Sequence, residues 1–431
     1  MRSRGEVYSW CLYDWANSAF VLTVVSGFFP LFFKGYCCGA GTSVVETTVR
    51  LGVGNTVAGV AIALLSLILG AVADAGSGKK RFLLFFAVLG AVSAALLFFA
   101  GQGAWMPALL LFILGNIGFS CSNLFYDSLL IDVADGENMD FVSSMGFAFG
   151  YIGGVILFTF NVWMMVKPET FGLGGWADAV KVSFLSVAVW WTVFSIPLFL
   201  FVKEKTRRVS TRRNFFTAVA DTVGTIKKTF LAITRRKELL LFLIAYWLYY
   251  DGVNTFIRMA VDFGLSIGFG PESLMAALVT TQLTAFPASL FFGYLSVRAG
   301  AGRMIFAGVL MYLLISVAGS LFMRTEAHFV ILAALVGLAQ GGIQALSRSY
   351  FGKLIPPGES TEYFGFYNVV SRFAVAGPAV VGMIAMAARG AGAPESAASR
   401  VGMSAVGLFF ATGLIFLRMS RKSCERDMTG N

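Results

Sequence analysis

The chain carries the stretch WCLYDWANS at residues 10–18, and a related stretch, WLYYDGVNT, lies at residues 247–255. Tryptophan, tyrosine, aspartate and asparagine match in register, and each stretch ends on a hydroxyl residue. The first pair of stretches is offset by 237 residues. At several positions residues 115–141 also match residues 337–363, with a shared offset of 222 residues. A shared offset between rare residues is typical of an internal repeat. We therefore predict a chain made of two homologous halves.

Both stretches lie within strongly apolar sequence. Of the 431 residues, 57% are hydrophobic and 13% are charged, whereas roughly a quarter of the residues in a soluble domain are charged. Apolar runs of about 19 residues recur along the chain, which is long enough for a helix to cross a bilayer. The two-residue alternation of a membrane β-barrel is missing from these runs. The sequence therefore predicts an all-α, multi-pass membrane protein.

The apolar runs predict twelve transmembrane helices, which we call spans. Their approximate ranges are 8–34, 54–75, 82–101, 105–132, 141–166, 180–202, 239–266, 272–298, 303–324, 328–352, 361–388 and 400–418. The longest polar interruption, residues 203–238, holds eleven basic and three acidic residues. We predict that it is a cytoplasmic linker between two pseudo-symmetric six-helix bundles, 1–202 and 239–431, and that the second bundle ends in a short cytoplasmic tail.

The linker has an amphipathic pattern. Apolar residues recur at helical spacing from Phe215 to Ile233, beside the basic pairs Arg212-Arg213 and Lys227-Lys228. This pattern predicts a helix on the anionic cytoplasmic leaflet, in contact with membrane lipids. Nucleic-acid binding is an alternative for a basic run. A short linker tethered at both ends to membrane spans argues against it, so we expect no nucleic-acid partner.

Basic residues are distributed unequally between the two sides of the predicted topology. Of the 33 Lys and Arg, 23 lie on the side of the linker and seven lie on the other side. Because basic loops stay in the cytoplasm, both termini and the linker are predicted to be cytoplasmic. Polar residues interrupt the first apolar run and no cleavage site follows it, so we expect no signal peptide. We expect a monomer in a bacterial inner membrane.

Polar residues inside spans mark the protein interior, because they are costly against lipid. They concentrate in spans one, four, seven and ten, and spans three, six, nine and twelve have almost none. Three aspartates and three arginines within spans would balance charge, either as structural ion pairs or as a site for substrate or protons. The candidate binding residues are Asp14, Asn17, Asn123, Asp127, Asp251, Asn254, Arg258, Gln344, Arg348 and Arg372.

The sequence argues against an enzyme. Its five cysteines lack the spacing of metal ligands, its single histidine is predicted to be external, and it has no phosphate-binding loop. We therefore expect no catalytic residues, no metal and no cofactor. Cys37 and Cys38 are predicted to be ordinary residues of an external loop, with a disulfide as the alternative.

The loop between spans two and three resembles the major facilitator superfamily. It reads Gly70-Ala-Val-Ala-Asp74 and then Gly78-Lys79-Lys80-Arg81, as in the Gly-x-x-x-Asp and basic-cluster pattern of that superfamily. The resemblance implies that Asp74, Lys79, Lys80 and Arg81 are gating residues that latch one conformation at the cytoplasmic side. The second repeat has Val297 where the aspartate would stand.

A narrower resemblance covers most of the chain. YDWANSAF at residues 13–20, together with residues 146–154 and 341–349, looks like the vacuolar effluxer-like branch, which is related to the autophagy-linked vacuolar amino-acid permease. The resemblance implies a permease, with amino acids as the best-known substrates. It also implies a cavity lined by spans one, four, seven and ten, in agreement with the polar pattern. Trp247 is a candidate aromatic gate.

We therefore expect a secondary transporter of a small polar or zwitterionic solute, working by alternating access. A lipid or lysolipid flippase on the same fold and a non-transporting membrane sensor are the alternatives. Asp14 and Asp251 match between the repeats, and a buried aspartate with a mobile basic partner can bind and release a proton. We expect protons as the coupling ion, with Asp14 as the first candidate. Span five has glycines at 146, 150 and 154 that permit close helix packing, and Pro287 and Pro378 are expected to bend their spans.

Overall fold

The computed structural model describes residues 4–39, 42, 44–73, 78–204, 222–266, 271–356, 359–374 and 376–429. Helices dominate these residues, and no strand occurs among them. Twelve helical segments are long and apolar enough to cross a membrane. The predicted all-α fold with twelve spans is confirmed.

The N-terminal half contains six spanning helices: α1 (Arg4–Cys37), α2 (Val44–Val72), α3 (Lys79–Leu96), α4 (Trp105–Val133), α5 (Met139–Val166) and α6 (Trp176–Phe201). A short helix, α7 (Thr222–Arg235), follows. The C-terminal half contains α8 (Lys237–Ser266), α9 (Pro271–Ala299), α10 (Ala301–Phe322), α11 (Glu326–Leu354), α12 (Ser360–Arg372), α13 (Gly377–Gly390), α14 (Glu395–Ser404) and α15 (Val406–Thr429). The eleventh span consists of α12 and α13, and the twelfth runs through α14 and α15.

Helix α1 is longer than predicted and contains two π-helical segments, Phe20–Phe28 and Phe33–Cys37. In a π-helix the backbone hydrogen bond joins residues five apart, which widens the turn. Thr23, Phe28 and Phe33 are accordingly spaced by five and are all fully buried. This spacing keeps one side of α1 packed against the protein interior.

The extension of α1 changes the position of two cysteines. Cys37 is the last residue of the helix and Cys38 follows it, and both are buried with free thiols. The prediction that both lie in a loop is wrong for Cys37, because α1 continues past residue 34 and ends at this residue, whereas Cys38 lies in the turn that follows. Their position on the external side stays a prediction.

The described residues fall into two compact units. The first lies within Met1–Asp135, Phe149–Val223 and Gly358–Gly365, and the second within Gly136–Ala148, Gly224–Pro357 and Phe366–Asn431. Helix α5 therefore begins in the second unit and continues in the first, and α12 begins in the first unit and continues in the second. The predicted bundles 1–202 and 239–431 do not include this exchange of short segments, and their boundaries stay a prediction.

Glycines permit close helix crossings where these exchanged segments pack. In the first unit, a Cβ added at Gly70 of α2 would lie 2.8 Å from the carbonyl oxygen of Thr361 in α12. In the second unit, a Cβ at Gly293 of α9 would lie 2.4 Å from the Cβ of Ser144 in α5. Both distances are too short for a real side chain, so each crossing requires a glycine.

Burial follows the polar pattern of the sequence. The first, fourth, seventh and tenth spans are each more than half buried, whereas the third, sixth and ninth are less than half buried. The twelfth is half buried, and the fifth is the most buried of all at 67%. Large apolar side chains such as Val88, Val92, Val189 and Val193 are exposed on α3 and α6. An apolar outer face of this kind suits contact with lipid chains.

Candidate transport site

Asp14 forms the centre of a buried polar cluster in the first unit. Its side chain is 8% exposed, and its Oδ2 accepts a hydrogen bond of 2.7 Å from the hydroxyl of Tyr126 on α4. Trp10 stacks on the Tyr126 ring at a centroid distance of 4.4 Å, and its indole N–H donates to the Tyr126 carbonyl over 3.1 Å. The tyrosine is therefore fixed at both its ring and its backbone, which directs its hydroxyl at the carboxylate.

The glycine face of α5 brings α1 close to this cluster. A Cβ at Gly150 would lie 2.6 Å from the Ser18 hydroxyl and 3.5 Å from the Cβ of Asp14. A Cβ at Gly153 would lie 2.6 Å from the Trp15 ring. The predicted role of these glycines in close packing is confirmed, since any side chain there would push α1 and α5 apart.

Two asparagines join α1 to α4 one turn beyond Asp14. The Asn17 amide donates to the Asn123 side-chain oxygen at 2.7 Å, and Asn17 is 1% exposed. Asp127, on the same helix as Asn123, is half-buried. The structure thus brings Asp14, Asn17 and Asn123 together between two helices, as their spacing in the sequence predicts.

Asp251 has different surroundings in the second unit. It is 1% exposed, and its two oxygens accept backbone N–H groups of Ala376 at 3.0 Å and Gly377 at 3.1 Å. These groups lie at the start of α13, where the eleventh span resumes after its break. The Thr255 hydroxyl also donates to Asp251, over 3.4 Å. Asp251 therefore caps a half-helix inside the span, where the helix dipole favours a negative charge.

The break in the eleventh span lies where a proline predicts it. Pro378 lies in the first turn of α13, where a helix tolerates proline best because the missing N–H would have no partner in the helix. A Cβ at Gly377 would lie 1.8 Å from the Thr255 hydroxyl, so only glycine fits between α8 and α13. Pro287, by contrast, lies inside the continuous helix α9.

Other candidates in the second unit lie around these helices. Asn254 and Gln344 are half-buried, and half-buried Arg372 is the last residue of α12. The side chain of Arg258 is outside the described part of the chain. Trp247, 39% exposed, donates its indole N–H to the carbonyl of Phe373 at the break, over 3.1 Å. Its role as a gate stays a prediction.

Arg348 is buried, with 2% exposure, and contacts the start of α5. Its Nε donates to the Ser143 hydroxyl and its Nη2 to the Ser143 carbonyl, both at 2.9 Å. Its guanidinium also lies 4.3 Å from the centre of the Phe147 ring. Nearby, Lys353 forms a 2.7 Å ion pair with Asp140. Two cations of α11 thus hold the first turns of α5.

Lys79 plays a comparable part in the first unit. Its ammonium group pairs with Asp132 at 2.9 Å and donates to the Ser360 hydroxyl at 2.7 Å and the Ser128 carbonyl at 3.3 Å. The Lys79 and Asp132 side chains are only 15% and 7% exposed. Removing one partner of such a buried pair leaves a poorly solvated charge, which is destabilising. Lys79 therefore holds the start of α12 against α4.

The other residues of the basic cluster behave differently. The Lys80 ammonium donates to the carbonyls of Phe199 and Val202, at 2.9 and 2.6 Å, and its amide donates to Glu204. Lys80 thus satisfies free carbonyls at the end of α6, as a cation at a helix C-terminus should. Arg81 is exposed. Asp74 lies outside the described residues.

Sequence reasoning missed several partners of the predicted residues. Tyr126 and Asp132 lie on α4 on either side of Asp127, and Ser143 lies on α5. The repeat offset of 222 aligns Tyr126 with Arg348, so a strict comparison of the repeats would have drawn attention to Tyr126. Ser143 gives no such signal, because one serine among several near the end of a span has no distinguishing pattern.

Twelve candidate membrane spans among the described residues, with buried polar clusters on α1, α4, α8 and α11, have the architecture of the major facilitator superfamily of transporters. Solved structures support the fold. A proton:xylose symporter gives a TM-score of 0.70 at 11% identity, covering 96% of this chain and 95% of that one. The human organic anion transporter MFSD10 gives a TM-score of 0.67 at 13% identity, covering 96% of this chain and 98% of that one. These identities are low, so they bear on fold alone.

The family follows from sequence comparison. The profile of the family described as "Vacuole effluxer Atg22 like" matches residues 52–138 and 132–420, and the chain belongs to that family. The chain is 37% identical to the uncharacterized MFS-type transporter YxiO of Bacillus subtilis (strain 168), over 88% of this chain and 87% of the relative. It is 23% identical to autophagy-related protein 22 of Eremothecium gossypii, with 88% and 85% coverage.

Proposed function

We propose that this MFS-type transporter moves a small polar or zwitterionic solute, with amino acids as the leading class, by alternating access. The observation that carries the proposal is the pair of buried polar clusters around Asp14 and Asp251, at matching positions of the two repeats. Polar and ionisable side chains inside transmembrane helices are rare and face the protein interior rather than lipid. Such residues often mark the pathway of a substrate or ion. Buried Asp14 in the first unit, and buried Asp251 and Arg348 in the second, are charged groups of both signs, which suits a solute with both charges.

A thermal-shift screen of the purified protein tests the substrate class. A ligand that binds only the folded state raises the apparent unfolding temperature, by an amount that grows with the logarithm of its concentration above Kd. We expect amino acids to shift it, and peptides, nucleosides and sugars to leave it unchanged. Solute counterflow in proteoliposomes then tests transport. A shift with sugars alone would replace the proposed substrate class, and binding without counterflow would favour a sensor.

We further propose that protons are the coupling ion and that Asp14 carries the proton. A tyrosine hydroxyl can donate to a carboxylate and can also accept from a carboxylic acid, so the Tyr126 contact can persist when Asp14 is protonated. A backbone N–H can only donate. The two amides that hold Asp251 therefore cannot accept a hydrogen bond from a protonated carboxyl group. This difference in partner chemistry makes Asp14 the better candidate.

For gating, we propose that Lys79 and Asp132 act with Asp74 to hold one conformation. The support is the buried contact of Lys79 with Ser360 at the start of α12. Lys80 has a supporting role through the end of α6, and Arg81 remains exposed for a contact in another conformation. Each conformational change must break the Lys79 contacts and expose the partners to water.

The proposed topology places both termini and residues 203–238 in the cytoplasm of a bacterial cell, with the protein as a monomer in the inner membrane. The support is the unequal distribution of basic residues. Single cysteines at Ser210 and Ala40 test the orientation by labelling with an impermeant reagent from outside the cell. We expect label at position 40 only. Label at position 210 with none at position 40 would reverse the topology.

A further inference from the structure

Helix α7 has two chemically different faces. Thr229 and Ile233 are buried, with 6% and 3% exposure. The opposite face exposes Phe230 at 54% and Leu231 at 42%. Three exposed cations, Lys227, Lys228 and Arg235, flank these two apolar side chains. We call these five exposed residues the outer face of α7.

The outer face is held close to the membrane. Helix α7 ends at Arg235 and the spanning helix α8 begins at Lys237, so one residue, Arg236, separates them. The Arg236 amide donates to the carbonyls of Ala232 and Ile233, and its Nε donates to Glu238 at 2.9 Å. The junction is therefore ordered, and α7 cannot move far from the end of a transmembrane helix.

We propose that the outer face of α7 binds the headgroups of anionic phospholipids. Phe230 and Leu231 would enter the interfacial layer, and Lys227, Lys228 and Arg235 would contact phosphate groups above it. A lipid surface accounts for both features, because amphipathic helices bury apolar side chains at the boundary of headgroups and acyl chains while cations pair with anionic lipid.

Charge and tethering favour lipid over other anionic partners. The linker, residues 203–238, has eleven basic and only three acidic residues. A nucleic acid or an acidic protein would pair with the cations but would leave the neighbouring Phe230 and Leu231 in water. The membrane is also always present beside α8, so lipid binding needs no encounter with a free partner.

Fluorescence quenching in nanodiscs tests the proposal on the full-length protein. Leu231→Cys is labelled with bimane in a Cys424→Ser background, since the four other cysteines are buried. Quenching by brominated phosphatidylglycerol is compared with quenching by brominated phosphatidylcholine. We expect quenching by both, with association favouring phosphatidylglycerol by about fivefold for each cation in contact. No quenching by either lipid would overturn the proposal.

A charge variant separates specific binding from general attraction. Lys227→Gln with Lys228→Gln and Arg235→Gln should abolish the preference for phosphatidylglycerol, while bimane still contacts lipid. The matched control removes three exposed cations elsewhere, Lys34, Lys167 and Arg324, and should keep the preference. An equal loss in both variants would refute a site on α7. Protection of the label by added DNA, stronger than by anionic lipid, would assign the face to nucleic acid instead.

Discussion

Asp14 and Asp251 occupy matching positions in the two repeats, and both are buried, but their hydrogen-bond partners differ. Asp14 accepts from the side chain of Tyr126, a group that can reverse its role between donor and acceptor. Asp251 accepts from two backbone amides at the start of α13, which can only donate. Asp251 therefore caps a helix end, whereas the partner of Asp14 is compatible with the proton exchange that we propose for it.

The two repeats also differ in how they hold the exchanged helix segments. In the first unit Lys79, the first residue of α3, holds the start of α12. In the second unit Lys353 and Arg348 of α11 hold the start of α5. In both units, therefore, cationic side chains hold the start of an exchanged helix, but these side chains come from different helices in the two repeats.

Replacing Asp14 should have the largest effect on coupling. In Asp14→Asn the amide cannot take a proton, so we expect uphill accumulation under an imposed pH gradient to fall to the level of empty vesicles. Counterflow, which needs no net proton movement, should persist. Asp251→Asn provides the comparison and should still accumulate solute. If both variants accumulate solute as the parent does, proton coupling through this pair is wrong.

Replacing Asp251 should mainly reduce stability. Asp251→Ala removes the acceptor of two backbone N–H groups, and each unsatisfied buried donor costs about 1–3 kcal/mol. We expect a clear fall in unfolding temperature in detergent. Asp251→Asn retains one acceptor oxygen and should lose about half as much. Equal stability of the alanine variant and the parent would show that the cap contributes little.

Tyr126→Phe tests whether the hydroxyl controls proton release. The variant keeps the ring stacked on Trp10 but removes a hydrogen bond to a charged acceptor, worth about 1.5–3 kcal/mol. Asp14 loses this partner, so the half-maximal pH of accumulation should differ from that of the parent. Tyr249→Phe, which removes the buried hydroxyl beside Ser347, is the control and should not shift it. An unchanged profile for Tyr126→Phe would remove the distinction between the repeats.

Lys79→Gln should have a smaller, conformational effect. It breaks the contacts with Asp132 and Ser360, so a cysteine at Ile131 should react severalfold faster with a thiol reagent. Asp74→Asn should act in the same direction. Lys80→Gln is the matched control, because Lys80 contacts the end of α6. If the two lysine variants give the same reactivity, the proposed latch has no support.

The sequence predicts much of this architecture because membrane helices follow simple rules. Long apolar runs must form helices in lipid, so the twelve spans and the all-α fold could be deduced from composition. Helical spacing defines a polar face on α1 and another on α4, and these faces contain Asn17 and Asn123, which form a hydrogen bond in the structure. The glycines of α5 predict close helix packing, and the proline of the eleventh span predicts a bend, because each residue type restricts the local geometry directly.

Tertiary partners could not be predicted in this way. Nothing local indicates that Asp251 accepts from the amides of residues 376 and 377, because a backbone donor has no sequence signature. The exchange of segments between the units depends on long-range packing, which periodicity does not record. The end of α1 was misplaced because π-helical turns shift the spacing of buried residues from the α-helical repeat, and this hid the burial of Cys37.

The π-helical part of α1 also has a consequence for insertions and deletions. A turn closed between residues five apart contains one residue more than an α-helical turn. Loss of one residue within Phe20–Phe28 would convert such a turn into an ordinary one, and both flanking segments could keep their packing. A deletion in a regular helix such as α4 would instead rotate everything beyond it. Length variation in α1 among relatives should therefore concentrate in this segment, downstream of Asp14.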